Sequence, residues 1–374
     1  MNTKNSLTVV QVLPALESGG VERGTVEIAR ALKQRGHRAV VIAAGGELVD
    51  ELVRSGADFI DWDMSRKSPL TLKYVFKLRQ LIKSYNVDVL HVRSRMTAWL
   101  ARLACKTLPK KQRPHFITTI HNPYPVNAYS EIMTKGDRVI AVSSTIRQYI
   151  IDSYPKVNPD TIQVILRCIN LEEFPYGFKP DQTWLDAWYG QYPVLKGRQV
   201  ITILGSLKPS KGHQDFIRLM SVLRKKGIDV CGVVVGEQDD SEQAYIDELL
   251  ISVREHDLQD RIIFTGKRED DREIYAVSDI VMFLSKDPEP VGLPAIKALS
   301  LGVPVLGYDH GDIGVMLREV FPQGGIPVGK TLNLAGKTIA MLENKPEIPR
   351  EHIFDIAIMV GATIDLYEKL YHGD

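Results

Sequence analysis

Short β-branched runs alternate with longer helical patterns twice along this chain, and that alternation limits the fold more than any other feature. In the first half the runs are TVVQVL (8–13), AVVIAA (39–44), DVLHV (88–92), FITTI (116–120) and RVIAV (138–142). After a stretch rich in Pro, Gly and aromatic residues (171–198) they resume as VITIL (200–204), VCGVVV (230–235), IIF (262–264), IVMFL (280–284) and VPVL (303–306). Between the first two runs Val21, Thr25, Ile28, Ala29 and Leu32 recur at helical spacing, and Gly36 closes the segment. Nearly continuous apolar strands separated by helices imply a parallel sheet covered on both faces. The pattern therefore predicts an α/β chain of two doubly wound, Rossmann-like domains, 1–175 and 176–351. The helically patterned tail within 352–374 is expected to pack back on the first domain. Ligands of such sheets bind beyond the carboxyl ends of the strands, here in a cleft that the two domains face.

Length agrees, since 374 residues exceed the usual single-core limit. A net charge of +1 argues against bulk nucleic-acid binding, although local basic clusters stay open. Cys105, Cys168 and Cys231 sit far apart, in no metal-ligand or CxxC spacing, and read as buried thiols of a reducing cytoplasm. The opening MNTKNSLTVVQVLPALESGG has no signal-peptide apolar core, and no apolar run approaches the ~20 residues of a membrane span.

Three loops carry the chemistry. ESGGVERG (17–24) follows the first strand and precedes a helix, so Gly19 and Gly20 let the backbone approach an anion at a helix N-terminus. It lacks the dinucleotide G-x-G-x-x-G spacing, and a plain tight turn explains it equally well. In LGSLKPSKGHQDF (204–216), Lys208 and Lys211 stand just before a helix, placed to meet phosphate oxygens as point charges. Solvated surface lysines are the plain alternative. In EPVGLPAIKALSLGVPVLGYD (289–309), Gly292 and Leu293 lead into a helix with Pro294 in its first turn. Glu289, just before it, is placed to accept hydrogen bonds from sugar hydroxyls. A diphosphate and a sugar are the ligand these loops would share.

With SGGVERGTVEIARALKQRGH, AVSS, GSLKPSKG, FTGKREDDREIYAVSDIVMFLS and EPVGLPAIKALSLGVPV in this order, the sequence resembles the retaining GT-B glycosyltransferases of family 4 over nearly its whole length. KSPLTL, HVRSRMTAWLA and HNPYPVNAYSEIMTKGDRVIAVS further resemble a bacterial subgroup assigned to lipopolysaccharide-core synthesis. The resemblance implies a donor diphosphate near Gly19, Gly20 and Lys211, contacted also by the backbone around Gly292 and Leu293. It implies Glu289 on the donor sugar, His121 beside the reacting sugar, and Lys267 where backbone meets the nucleotide base. His121, Glu289 and Lys211 are thus its catalytic candidates.

Two positions depart from the family pattern. Ser206 replaces a basic residue, for which Lys208 is the substitute, and Lys297 replaces the Glu that grips the ribose hydroxyls. Lysine has three donors and no acceptor, so that contact survives only with reversed polarity. The sequence pattern sets it within the first turns of its helix, an end that disfavours cations. An Asp-x-Asp of the GT-A kind at Asp61–Asp63 lies in the first domain, away from the donor loops, so no metal is expected. His91 reads equally as a structural histidine.

Arg93 and Arg95 follow a strand end in the first domain, where GT-B acceptors bind, and their forks suit a carboxylate or phosphate. Solvated arginines are the alternative. LKYVFKLRQLIKSYN (72–86) mixes Val75, Leu78 and Ile82 with Lys73, Lys77, Arg79 and Lys83, and Lys106, Lys110, Lys111 and Arg113 follow. Such a surface suits an anionic inner membrane, though a helix covering a sheet shows the same spacing. The expectation is a cytoplasmic, peripheral enzyme without cofactor. It would move a hexose from a UDP- or GDP-sugar to a lipid-linked oligosaccharide. A catalytically silent GT-B protein, supported by Ser206 and Lys297, and a sugar-nucleotide epimerase are the rivals.

Overall fold

The computed structural model describes residues 6–17, 19–66, 68–238, 242–288 and 292–373. The chain divides into two units. The first runs to Cys168 and takes up the chain again from Phe354; the second is Ile169–Ile353.

The first unit holds seven strands: β1 (Thr8–Ala15), β2 (Arg38–Ala44), β3 (Asp58–Asp61), β4 (Val89–Val92), β5 (His115–Ile120), β6 (Arg138–Ala141) and β7 (Ile162–Val164). All pair in parallel, in the order β3-β2-β1-β4-β5-β6-β7. The second unit repeats the plan with β8 (Gln199–Leu204), β9 (Val230–Val235), β10 (Ile262–Gly266), β11 (Ile280–Phe283), β12 (Val305–Tyr308) and β13 (Gly325–Ile326). Its parallel order is β10-β9-β8-β11-β12-β13. Each sheet reverses its winding once, between β1 and β4 and between β8 and β11, and the crevice beyond such a point is where doubly wound sheets bind ligands. One device fixes the register at both reversals. Asp88, just before β4, accepts from Thr8 N at 2.7 Å, and Asp279, just before β11, accepts from Val200 N at 2.7 Å.

Ten strands coincide with the apolar runs of the sequence. The other three, β3, β7 and β13, are all sheet edges, short and incompletely buried. Edge strands lack the two-sided burial that writes a continuous apolar run.

The boundary falls after Cys168 rather than at 175, because the aromatic residues beyond it belong to the second unit. Tyr176 lies under Arg350 (5.0 Å), Phe178 under Arg272 (4.2 Å), and Gly177 N donates to Leu301 O at 3.0 Å. The stretch rich in Pro, Gly and aromatic residues also contains a helix, Gln182–Gln191, capped by Asp181, whose carboxylate accepts from Trp184 N. Trp184 and Trp188 stack at 5.1 Å, and Trp188 is buried among Leu195, Val200, Cys231 and Val233. Those aromatics are core, not linker.

In the first unit the helix Gly20–Gln34 turns Val26, Ile28, Ala29 and Leu32 to the sheet. The terminal helix Ile356–His372 packs beside it, burying Val360, Ile364, Leu366 and Tyr367 in the same core. Arg35 to Asp365 (3.2 Å) and His37 to Glu368 (3.1 Å) close the rim of that contact.

Candidate active site

The first unit brings three candidate side chains, Arg93, His121 and Arg167, to the ends of β4 and β5 and the chain just past β7, beside the helix start that follows β1. Gly19 is the extended N-cap of the helix Gly20–Gln34. A side-chain carbon at Gly20 would run into the Arg167 guanidinium, so glycine there lets the helix end and the guanidinium share one space. Arg93 continues the ladder beyond β4, its N–H donating to Val12 O at 3.1 Å, and only 8% of it is exposed. Its Nη2 donates to Gln11 Oε1 at 2.7 Å, while Gln11 Nε2 donates to Thr25 O at 3.1 Å. Arg93 is thereby tied through Gln11 to the helix that begins at Gly20. Burial lowers the pKa of Arg93, opposed by Tyr367 and Glu22.

Two histidines flank it with opposite wiring. His91, fully buried, bonds Tyr367 Oη through Nδ1 and Thr119 Oγ1 through Nε2, each at 2.6 Å. Burial first, then Arg93 and His121, drive its pKa well below the usual value, so it is neutral and structural. His121, directly after β5, is 8% exposed and neither ring nitrogen has a hydrogen-bond partner. Burial, then Arg93 and Arg167, hold it neutral as well. Burial likewise lowers the Arg167 pKa, opposed by Glu22.

In the second unit the chain leaves β8 through Gly205 and Ser206 into a single 3-10 turn, Pro209–Lys211. Gly212 then takes φ +80°, where an added side-chain carbon would strike Leu284 O, and the helix His213–Lys225 begins. Lys208 opens that turn and Lys211 closes it, the Lys211 stem covering Gly205. Under the turn, buried Asp215 accepts from Tyr308 Oη at 2.7 Å and pairs with Lys286 at 3.6 Å. His213 is buried beside it, and burial lowers its pKa to about 4. Beyond the neighbouring β11, Gly292 caps the helix Leu293–Ser300 with Pro294 in its first turn. The adjacency of β8 and β11 thus brings Ser206, Lys208 and Lys211 to the same sheet edge as Gly292 and Leu293. Lys267, exposed, follows β10 at that edge. Glu289 lies outside the described residues.

A family model described as Glycosyltransferase Family 4 matches residues 18–173, and one described as Glycosyl transferases group 1 matches 187–353. This chain is a group 1 glycosyltransferase of the GT-B fold. The transferase is 25% identical over 383 aligned residues to the N-acetyl-alpha-D-glucosaminyl L-malate synthase of Bacillus anthracis, covering 96% of this chain and 94% of that one. A crystal structure of a glycosyltransferase from Rickettsia africae shares 27% identity at a TM-score of 0.80, covering 98% of this chain and 99% of that one. Anabaena HepE, solved with UDP and glucose, shares the fold at 18% identity and a TM-score of 0.74, covering 97% of this chain and 100% of that one.

The transferase does not use its predicted residues alike. Arg93 and Arg95 diverge: Arg93 turns to Gln11, whereas Arg95 lies 4.7 Å from the Tyr124 ring centre, 5.2 Å from that of Tyr129, and donates to Ser130 Oγ at 3.2 Å. Lys297 is the fifth of eight residues in its helix and reaches its last turn, so the N-terminal dipole penalty does not apply. Arg167 is the site residue that sequence reading missed. Its N–H donates to Val142 O at 3.2 Å, extending the edge strand β7, which was missed too. An arginine inside the apolar run VILRCI was the available signal. At Asp61–Asp63, Asp63 instead accepts from Ser65 Oγ at 2.8 Å and pairs with Arg66 at 2.5 Å. Among the described residues no group of three or more His, Cys, Asp or Glu is arranged to hold a metal.

Proposed function

We propose that this transferase moves a hexose-type sugar from a UDP- or GDP-sugar, with retained anomeric configuration, to a lipid-linked oligosaccharide of the lipopolysaccharide-core kind at the cytoplasmic face of a membrane. Lys211 and the helix end at Gly292 and Leu293 stabilise the departing diphosphate; Ser206 and Lys208 flank it. Gly19 and Gly20 serve the phosphates, and neutral His121 lines the sugar. Glu289 holds the donor sugar, and Lys267 and Lys297 serve the nucleoside. Arg93 and Arg95 serve the acceptor. No metal or organic cofactor enters this reading.

The observation that carries the lipid-linked acceptor is one face of the first unit. From Met64 to Asn86 the chain has no Asp or Glu and six Lys or Arg; from Val89 to Ser130 it has no acid and seven. The helices Lys73–Tyr85 and Arg95–Lys106 that these stretches form pack together. Leu70 (77%), Leu72 (53%) and Phe76 (71%) are exposed among Lys73 and Lys77. Apolar side chains ringed by cations, in a chain whose net charge is +1, suit an anionic lipid surface better than bulk solvent. No helix among the described residues is long and apolar enough to cross a membrane.

A second reading, transfer to a small anionic acceptor, is favoured by the likeness to the malate synthase over 96% of the chain. Incubation with UDP- and GDP-sugars against lipid-linked core oligosaccharide, L-malate and a sugar phosphate tests both. Release of nucleoside diphosphate only with the lipid-linked acceptor, and an anomeric carbon unchanged by NMR, is the expected result. Release with malate or sugar phosphate alone selects the second reading. Binding of a sugar nucleotide with release from none of the three selects a silent protein.

A further inference from the structure

A cavity of about 510 Å³ lies in the first unit at the amino ends of β4 and β5, the sheet edge opposite the candidate site. Its walls are the last turn of the helix Lys73–Tyr85 with its cap Asn86, the 3-10 turn Lys110–Gln112 with Arg113, and Tyr371 of the terminal helix. None of Gly19, Gly20, Arg93, His121 and Arg167 lines it. β5 starts with His115 at this cavity, and His121 follows its other end, about 20 Å away at ~3.3 Å per residue. The volume is that of a small-molecule pocket rather than of one trapped water. Lys83, Lys111 and Arg113, with the imidazole of His115, face a single carboxylate, that of Asp88. Asp88 is already engaged, accepting from Thr8 N at 2.7 Å. Arg113 is held from behind, its Nε donating to Leu108 O at 2.9 Å and its Nη2 to Lys106 O at 3.3 Å. Cations beside helix C-termini are ordinary, and those carbonyls alone would account for Arg113. They do not account for Lys83 and Lys111, which form no ion pair among the described residues. A walled space lined by an excess of one charge concentrates counter-ions.

We propose that this cavity binds a small phosphorylated molecule that is not a reactant of the transfer, its phosphoryl oxygens meeting Lys83, Lys111 and Arg113. Arg113 is preset by its two carbonyl bonds and turns its remaining donors to the ligand as a fork, while the lysines act as point charges. Buried Ile82 and Val87 supply the apolar part of the lining that such pockets carry. A soluble phosphorylated compound and the headgroup of an anionic lipid share this chemistry. The first is favoured by where the apolar surface lies. None of the exposed large apolar side chains lines the cavity. Leu72, beside Leu70 and Phe76, precedes Lys83 by eleven residues, about 16 Å along a helix at ~1.5 Å per residue. The cavity therefore sits at the far end of that helix from the side chains that suit a bilayer.

The test titrates inorganic pyrophosphate onto the full chain and follows the ring ¹⁵N signals of His115, assigned through His115→Gln, so that binding at the donor loops is not counted. Saturable shifts are expected. Affinity should fall about 5-fold in Lys83→Gln and in Lys111→Gln, and about 25-fold in the double variant, the scale of exposed ion pairs. Both lysines are exposed, so these variants keep the fold. Lys211→Ala, in the second unit, should leave the His115 titration unchanged. No saturable shift in the wild type, or unchanged affinity in the double lysine variant, overturns the site. Loss of the shifts in Lys211→Ala would trace them to the donor loops and overturn it too. Shifts with bicelles containing phosphatidylglycerol, and none with pyrophosphate, would assign the cavity to a lipid headgroup and overturn the soluble ligand.

Discussion

Lys297 Nζ donates to Asp271 Oδ2 at 2.7 Å while lying 4.9 Å from the centre of the Phe174 ring. The pair joins the helix Leu293–Ser300 to the short helix Asp271–Ala276. With side chains 29% and 31% exposed, it is worth at most about 1 kcal/mol, plus roughly 0.5–1 kcal/mol from the ring. Lys297→Glu sets two carboxylates face to face and should lower unfolding stability by about 1–2 kcal/mol by those same terms. Adding Asp271→Lys should restore most of it. A carboxylate at 297 also has the two-acceptor chemistry a ribose diol needs. The double variant, with its new carboxylate balanced, is therefore expected to bind UDP or GDP tighter by roughly 1–2 kcal/mol. Calorimetric titration of wild type, single and double variants checks this, and unchanged affinity throughout removes Lys297 from the donor site.

Lys211→Ala should slow transfer by at least ~100-fold, the scale for deleting one charge stabiliser of a transition state. The lysine closes the turn between β8 and its helix, which the proposed function sets against the leaving diphosphate. Steady-state release of nucleoside diphosphate measures it; near-normal turnover would place the clamp elsewhere.

The basic face makes a separate prediction. Wild type should sediment with vesicles containing anionic phospholipid and not with purely zwitterionic ones. Lys73→Glu with Lys77→Glu should weaken that binding by about 2 kcal/mol or more, at ~1 kcal/mol per basic residue near the surface. Phe76→Ser with Leu72→Ser should weaken it at high salt as well, since the apolar contribution is not screened. Equal sedimentation with both vesicle types would remove the lipid reading of this face.

All three cysteines are buried and in no disulfide, and burial raises the pKa of Cys105 and of Cys168 to about 12. A thiol kept from forming thiolate is a poor nucleophile. Ellman titration should find essentially none reactive in the native chain and three after unfolding. A fast native thiol would show that one of these strands or helices opens.

His91, His121 and His213 are buried with pKa values lowered chiefly by burial, that of His213 to about 4. In the unfolded chain each protonates near pH 6.5, whereas the folded chain holds them neutral. Below pH 6.5 the unfolded state therefore binds more protons, and stability falls as pH drops. For His213 the loss runs from about 6.5 down to about 4 at roughly 1.4 kcal/mol per pH unit. Urea midpoints at pH 7 and pH 5 should show it, with a shallower slope in His213→Gln. A stability curve flat over that interval contradicts neutral burial of these rings.

What could be read from the sequence was what local chemistry writes. The turns at Gly19–Gly20 and Lys208–Gly212 announce themselves through glycine and proline between a strand and a helix, and both structures follow. The central strands, buried on both faces, wrote apolar runs; β3, β7 and β13 did not, because one edge and part of each face meet solvent. Arg167 went unread with β7. Lys297 was legible as an exception but not as half of a pair, since Asp271 lies 26 residues away and only the packing of two helices joins them. The grouping around His121 was equally hidden, assembled from β4, β5, the chain after β7 and the start of one helix.

Tyr367, which holds His91 from the terminal helix, stands 276 residues further along the chain. A ribosome makes the first unit's sheet early and the whole of Ile169–Ile353 next, and supplies that phenol only after both. Until then the imidazole inside the sheet lacks its Nδ1 partner, and the strip of core that Val360, Ile364, Leu366 and Tyr367 cover is bare. The usual order of synthesis, in which the amino-terminal domain finishes first, is inverted here. The second unit can complete its fold before the first, which stays open until the helix Ile356–His372 has been made.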